Sequence, residues 1–318
     1  MTCRICGNAS GNTFYTAREM MIGLRHSFQY FECHDCGCLQ ISQFPKNIAD
    51  YYPSDYNGFE RPREDLYAGL SGWFRKVRYR AALFPSGPVH FFINRFFPAR
   101  QYLLPGRFNL RMDARILDVG CGGGSYLYPL YELGLKGVAG VDPFIGQTIR
   151  YANGYTIEKK TIEQVDGTWD LILYNHSFEH VPDPQVHLSR IRELLSPDGA
   201  AIIRIPTASS YAWEHYRTDW FQLDAPRHFY LHTQESMGRL AGQSGLRLRD
   251  TVYDSDAMQF IISELYRNDI PMSQMRQHTH DPKKYWQYKW RKWRYGELAR
   301  QLNEEKRGDQ AAFILSLK

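Results

Sequence analysis

The sequence predicts an α/β fold: a doubly wound parallel sheet with a small cysteine-rich module in front of it. Three observations carry this. Short apolar strands alternate with helical stretches through Gly- and Pro-rich joints. One strand, Ile116-Leu117-Asp118-Val119, runs into Gly120, Gly122, Gly123 and Gly124, a turn only glycine follows so tightly. Two C-x-x-C-G pairs, Cys3/Cys6 and Cys33/Cys36, lie 26 residues apart near the start.

The elements follow in order. Residues 1–45 form the cysteine module. Residues 46–110 are a linker, Pro45 to about Pro62, and helical pieces over 63–104 broken at Pro85, Pro88 and Pro98. Residues 111–318 form the main domain. Its strand 115–119 precedes a helix near 125–133, and strand 137–142 precedes a helix near 145–152. A weak strand at 155–158 and a buried strand at 169–174 follow. Next come helix 184–195, ended by Ser196-Pro197-Asp198-Gly199, and strand 200–206. Helix 233–243 and strand 246–253 precede an inserted helical segment over 254–310 and a final strand, 312–317.

Composition bounds the function. A chain of 318 residues with 43% apolar residues is long enough for one large domain and an appendage. The net charge of +5 is uneven: residues 61–100 carry seven Arg and one Lys against Glu64 and Asp65. Their interleaved aromatics read as a helical layer with arginine stems at its surface, and peripheral membrane contact stays open. Trp286, Trp290 and Trp293 fall on one helix face with basic flanks, including Lys283 and Lys284, and are read as core packing against the 63–104 helices. No signal peptide is visible, and no uncharged apolar run is long enough to span a bilayer, so cytosolic residence is expected. There, the six cysteines argue for metal rather than disulfides. Cys3, Cys6, Cys33 and Cys36 can place four thiolates around a structural Zn²⁺, with no position left for substrate. Cys38 and Cys121 are read as inert small side chains.

The glycine turn carries the chemistry. Its pattern, D-x-G-x-G-x-G, differs from the dinucleotide fingerprint G-x-G-x-x-G. The expected helix near Ser125 would aim free N–H groups into the gap. A second acid, Asp142, ends the next strand, where a carboxylate can take ribose hydroxyls. This pattern resembles motif I of the class I S-adenosylmethionine-dependent methyltransferases, which have a Rossmann-like sheet. The likeness continues through Trp169-Asp170-Leu171-Ile172, His176-Ser177-Phe178-Glu179-His180-Val181-Pro182-Asp183-Pro184, Leu194-Leu195-Ser196-Pro197-Asp198-Gly199 and Asp224-Ala225-Pro226-Arg227-His228-Phe229-Tyr230. With the cysteine pairs and Tyr51-Tyr52-Pro53, it looks like the zinc-ribbon methyltransferases associated with sugar, antibiotic and surface-polysaccharide pathways.

The resemblance implies an antiparallel last strand beside strand 200–206. It implies S-adenosyl-L-methionine at Asp118, Gly120, Gly122 and Asp142, adenine contacts near Thr161 and Ile162, and a place near the sulfonium for Asn175. The acceptor is expected to be a small molecule, most simply a sugar or nucleotide-sugar. Where related sugar C-methyltransferases have Tyr and Glu before a matching histidine, this chain has Ala225 and Arg227, so O-methylation is favoured. Arg227 could then pair with a phosphate or carboxylate of the acceptor. His228 and then His176 are the candidate bases, since histidine titrates near neutrality. His176-x-x-Glu179-His180 also fits a zinc-peptidase pattern, but it leaves a buried strand and meets Pro182 at once, so Glu179 and His180 are read as fixing the loop beside the cofactor. Two other functions compete with this one. A zinc-ribbon RNA methyltransferase fits poorly, because Asn175-His176-Ser177-Phe178 is not the N-P-P-Y type. A membrane-associated S-adenosylmethionine-binding scaffold would use the two basic aromatic segments. Oligomeric state is not legible in the sequence.

Overall fold

A computed structural model describes residues 1–52, 61–275 and 285–318. Of the expected features, Pro53–Tyr56 of the tyrosine-rich stretch and Lys283 and Lys284 lie outside the described residues.

The main sheet has eight strands. Four form its parallel centre: β4 (Ile116–Val119), β5 (Val138–Val141), β8 (Trp169–Asn175) and β9 (Leu195–Pro206). β7 (Thr156–Glu158) extends it beyond β5, and β6 (Ile149–Arg150) pairs antiparallel with β7. At the other edge β12 (Gln310–Leu317) lies antiparallel to both β9 and β11 (Leu246–Tyr253), giving the order β11-β12-β9-β8-β4-β5-β7-β6. The antiparallel last strand falls where expected, beside the strand at 200–206.

Strand sequence explains why both faces are covered. Leu117, Val119, Ile172, Tyr174, Ala201 and Ile203 join one buried cluster, whereas Ile116, Leu171, Leu173, Ala200 and Ile202 join the other. Period-two alternation of apolar with apolar residues is the mark of a sheet packed on both sides. The first face carries α5 (Pro184–Leu194), α7 (Gln234–Gln243) and the cysteine module. The second is covered by α1 (Gly69–Leu83), α3 (Arg100–Leu103) and α4 (Tyr128–Glu132). Between α1 and α3, α2 (Gly87–Phe96) buries no residue.

The cysteine module has a sheet of its own: β1 (Thr13–Arg18), β2 (Ser27–Glu32) and β3 (Leu39–Ile41). Its fourth strand is β10 (Tyr230–Leu231), lent by the main domain and antiparallel to β3.

Four expectations need correction. No helix forms at 145–152; β6 and β7 are a hairpin, and Gly154 N–H donates to Tyr151 O across an Asn153-Gly154 turn. The helix after the glycine turn starts at Tyr128, next to Pro129, rather than near Ser125. β9 begins at Leu195; its register on β8 jumps from Leu195 to Ala200, so the Ser196–Gly199 turn is an excursion within the strand. Finally, Trp286, Trp290 and Trp293 on α9 (Tyr285–Glu304) are 75%, 56% and 65% exposed, and do not form a core. α9 is held instead by Ala299 and Leu302, with Tyr295 against Phe260 of α8 (Met258–Arg267).

Candidate active site

At the carboxyl edge of the sheet, β4 ends beside β5 in parallel register, Asp118 opposite Gly140. Gly120, Gly122 and Gly124 all take positive φ. A Cβ at Gly120 would stand 2.5 Å from Ser177 Cβ, and one at Gly124 would stand 2.4 Å from Ile157 Cδ1. Both glycines are therefore required by the protein's own packing as well as by the turn.

The two acids differ. Asp142 is buried, and its oxygens accept N–H bonds from Gly122 (2.9 Å) and Phe144 (2.8 Å). It shapes the turn, and each carboxylate oxygen retains a lone pair for a hydroxyl donor. Asp118 is buried, and its Oδ1 has no hydrogen-bond partner among the described residues. Burial first, and the Asp142 charge second, push its carboxyl up to about 8. An orphaned buried acceptor beside a glycine turn fits a ligand that brings its own donors or positive charge. These residues fit S-adenosylmethionine, whose sulfonium supplies an electrophilic methyl group when bound.

Other expected site residues lie around this edge. Ile162 is fully buried in a single turn capped by Thr161 and Gln164. Asn175 ends β8, and its Oδ1 accepts from Arg204 Nη1 at 3.2 Å. His176 follows in a left-handed conformation, with Nε2 2.8 Å from Arg204 Nη1 and Nδ1 3.6 Å from Glu179 Oε1. Arg204 donates and cannot accept, so Nε2 of His176 is the acceptor and its lone pair is engaged. Ser177 Oγ then donates to Val119 O at 2.7 Å, tying this segment to the end of β4.

His228 reaches the same edge from the loop after α6 (Tyr211–Tyr216). It is buried; Nδ1 lies 2.7 Å from Gln222 O, and Nε2 lies 3.8 Å from Glu179 Oε1 and 3.6 Å from Asp224 Oδ2. Burial pushes its pKa down to about 4, against the pull of Asp224, so the ring is neutral at pH 7. Arg227 is not available to an acceptor. It is completely buried, paired with Asp224, and donates to Tyr51 O at 2.7 Å.

Sequence reasoning missed Arg204, which gathers Asn175, His176 and Asp254 (Nε to Oδ2, 2.6 Å). Its signal was a single charge inside the otherwise apolar run Ala200–Ile205.

The four cysteines meet at the N-terminus. Cys3 Sγ lies 3.7 Å from Cys36 Sγ, and Cys6 Sγ lies 3.5 Å from Cys33 Sγ. A tetrahedron of sulfurs about 2.3 Å from zinc has edges of about 3.8 Å, so the set fits that ion. Gln40 Nε2 and Ile5 N donate to Cys3 Sγ, as outer partners of a thiolate site do.

A family model described as a methyltransferase domain matches residues 89–251, half of the chain. The chain belongs to this family of class I S-adenosylmethionine-dependent methyltransferases. The methyltransferase is 30% identical over 172 residues to a ubiquinone biosynthesis O-methyltransferase of Maricaulis maris, covering 47% of this chain and 66% of that one. It is 27% identical over 177 residues to the protein of that name in Xanthomonas campestris, covering 50% and 68%. It spans from 39% to 68% of the length of the curated relatives it matches. Among solved structures, a cyclopropane synthase of Mycobacterium tuberculosis is 14% identical with a TM-score of 0.42, covering 78% of this chain and 99% of that one.

Proposed function

We propose that this methyltransferase moves a methyl group from S-adenosylmethionine to a hydroxyl oxygen of a small-molecule acceptor. The observation that carries the reading is the pair of buried carboxylates on adjacent strand ends, one with an orphaned oxygen beside the glycine turn. Asp118, Gly120, Gly122 and Asp142 would hold the cofactor, with Ile162 and Asn175 along its length. The relatives' name, an O-methyltransferase, supports oxygen as the methylated atom. Sugars and nucleotide-sugars remain our preferred acceptors, on the motif resemblance.

Oxygen methylation needs the acceptor hydroxyl aligned with the sulfonium carbon and its proton removed. We assign His228 to the acceptor side, because its Nε2 faces away from its carbonyl partner and toward Glu179. A neutral ring with its pKa near 4 is a weak base alone. His176, with Nε2 engaged by Arg204, is assigned a positioning role. We further propose one structural Zn²⁺ on Cys3, Cys6, Cys33 and Cys36. Six free cysteines support a reducing, cytosolic setting. Exposed aromatic and basic helix faces support peripheral contact with an anionic membrane.

A labelled-methyl transfer screen against nucleotide-sugars, polysaccharide fragments, phenols and RNA tests the function. Label on a small hydroxyl compound is expected, with His228→Ala losing turnover while S-adenosylmethionine still raises Tm. Label on RNA alone, or no thermal shift with the cofactor, overturns the reading.

A further inference from the structure

Beside the cofactor edge lies a cluster from which the methyl transfer proposed above draws only His228, and which the cysteine site does not use. Ser177 packs against Gly120, and two residues on, in the single turn Phe178–His180, Glu179 is buried completely. Neither of its carboxylate oxygens has a hydrogen-bond partner among the described residues. The nearest ring N–H, on His176 Nδ1, stands 3.6 Å from Oε1, beyond hydrogen-bond length. A buried carboxylate so poorly served is costly, and a bound cation is one of the few ways to offset that cost.

The groups facing Glu179 are imidazoles. Donor atoms of Glu179, His180 and His228 all lie within 4.8 Å of one another. Nδ1 of His228 is 2.7 Å from Gln222 O, and Nδ1 of His180 is 2.9 Å from Arg227 O. A carbonyl only accepts, so each Nδ1 carries the ring proton and each lone pair sits on Nε2. Metal-bound histidines are held in this way, one nitrogen donating to a carbonyl so that the other is fixed as a ligand. The nearby arginines are committed elsewhere: Arg227 to Asp224, Tyr51 O and Glu19, and Arg204 to His176 and Asp254.

We propose that Glu179, His180 and His228 form a second metal site that takes one divalent first-row transition cation. Two imidazoles and one carboxylate suit Zn²⁺, Fe²⁺ or Co²⁺ better than Mg²⁺ or Ca²⁺, which prefer all-oxygen shells. Bonds of about 2.0–2.2 Å place ligand atoms about 3–3.5 Å apart, so donor atoms up to 4.8 Å apart close by up to about 1.8 Å on loading. One carboxylate leaves a net positive charge on the ion and open positions for a further ligand. Resting on the function proposed above, that ligand is the acceptor hydroxyl. A coordinated hydroxyl would lose its proton to water at lower pH, and the oxygen would then form its bond to the methyl carbon as the carbon–sulfur bond of S-adenosylmethionine breaks and S-adenosylhomocysteine leaves. The peptidase arrangement of the same H-x-x-E-H run does not form, because His176 turns its Nε2 to Arg204 and Glu179 acts as a ligand.

Cobalt(II) is the probe, added to full-length protein whose cysteine site is already loaded with zinc. Weak visible bands without sulfur charge transfer are expected, saturating at about one cobalt per chain. Glu179→Gln and His228→Gln should each weaken binding at least about tenfold, while His215→Gln leaves it unchanged. Should either cluster variant misfold, X-ray absorption of the wild-type cobalt protein decides: two imidazoles and no sulfur are expected. No cobalt bands at saturation, sulfur ligation, or equal binding by folded cluster variants would overturn the site. The reading needs no cofactor or acceptor, so cobalt binding with no methyl transfer would sink the proposed function and leave the metal site standing.

Discussion

Asp118 shows how much one buried atom decides. Its carboxyl is raised to about 8 by burial and by Asp142, and it also faces Cys121, Tyr126 and Tyr155, whose own protons burial holds more tightly. Without ligand it is therefore largely protonated at pH 7. A cationic ligand prefers the ionised form, so binding releases a proton. Affinity for S-adenosylmethionine should rise about tenfold per pH unit between pH 6 and 8, then level off. Asp118→Asn should bind weakly with no such slope. The sign for stability is the reverse. An acid whose folded pKa is raised stabilises the fold below its unfolded value and loses that contribution as pH climbs through 8. Ligand-free Asp118→Asn should thus gain much more in Tm over the parent at pH 9 than at pH 5, since the penalty builds between about pH 4 and 8. Calorimetric titration and thermal scans across pH check both; a flat wild-type binding profile would remove Asp118 from the cofactor's charged end.

At the scale of elements, the cysteine module acts as a brace. β3 lends its edge to β10, Ile41 N–H donates to Phe229 O, and Tyr30 OH donates to the His228 carbonyl at 2.9 Å. Thr233 Oγ1 closes the contact on Cys36 O at 2.6 Å. The loop carrying Asp224, Arg227 and His228 is therefore positioned by a module some two hundred residues earlier in the chain. Tyr30→Phe removes one buried donor and orphans a carbonyl, a loss of about 1–3 kcal/mol. Stripping the zinc proposed for the cysteine site should go further: hydrogen exchange over residues 224–232 should quicken, while β4 and β5 stay protected. Equal exchange in both segments would mean the module is only attached. This coupling also marks the limit of sequence reading. Parallel strands, the glycine turn and the cysteine pairs were legible because their signals are local. β10 was not, since a two-residue strand has no periodicity and its partner is remote. The β6–β7 hairpin carried a local sign, Asn153-Gly154, that the helical reading of 145–152 passed over. Likewise Glu179 and His180 stood out as a pair, but His228 joins them only through the loop that β3 holds.

Across the whole molecule, the question is what the exposed aromatic faces meet. No helix among the described residues is long and apolar enough to cross a membrane. Yet α9 presents Trp286, Trp290 and Trp293 at i, i+4 and i+7, each more than half exposed. Lys289 stands over the Trp286 ring and Arg294 over the Trp290 ring, at 5.6 Å and 4.7 Å from the centroids. On α1 and α2, Trp73, Phe91, Phe92 and Phe96 are exposed beside Arg75 and Arg95. α9 is anchored at its other end through Ala299 and Leu302, and these side chains stay largely exposed among the described residues. Tryptophan beside lysine and arginine matches an anionic interface, where rings enter the headgroup layer and each nearby cation adds about 1 kcal/mol. The chain should co-float with vesicles containing phosphatidylserine, more weakly as salt rises, and poorly with neutral vesicles. Replacing Trp286, Trp290 and Trp293 together with Ser removes surface apolar area and leaves the core untouched. It should cut vesicle binding at least about tenfold, about 1.4 kcal/mol, without lowering Tm. A drop in Tm instead would return these residues to a packing role, and unchanged flotation would move the contact to α1 and α2.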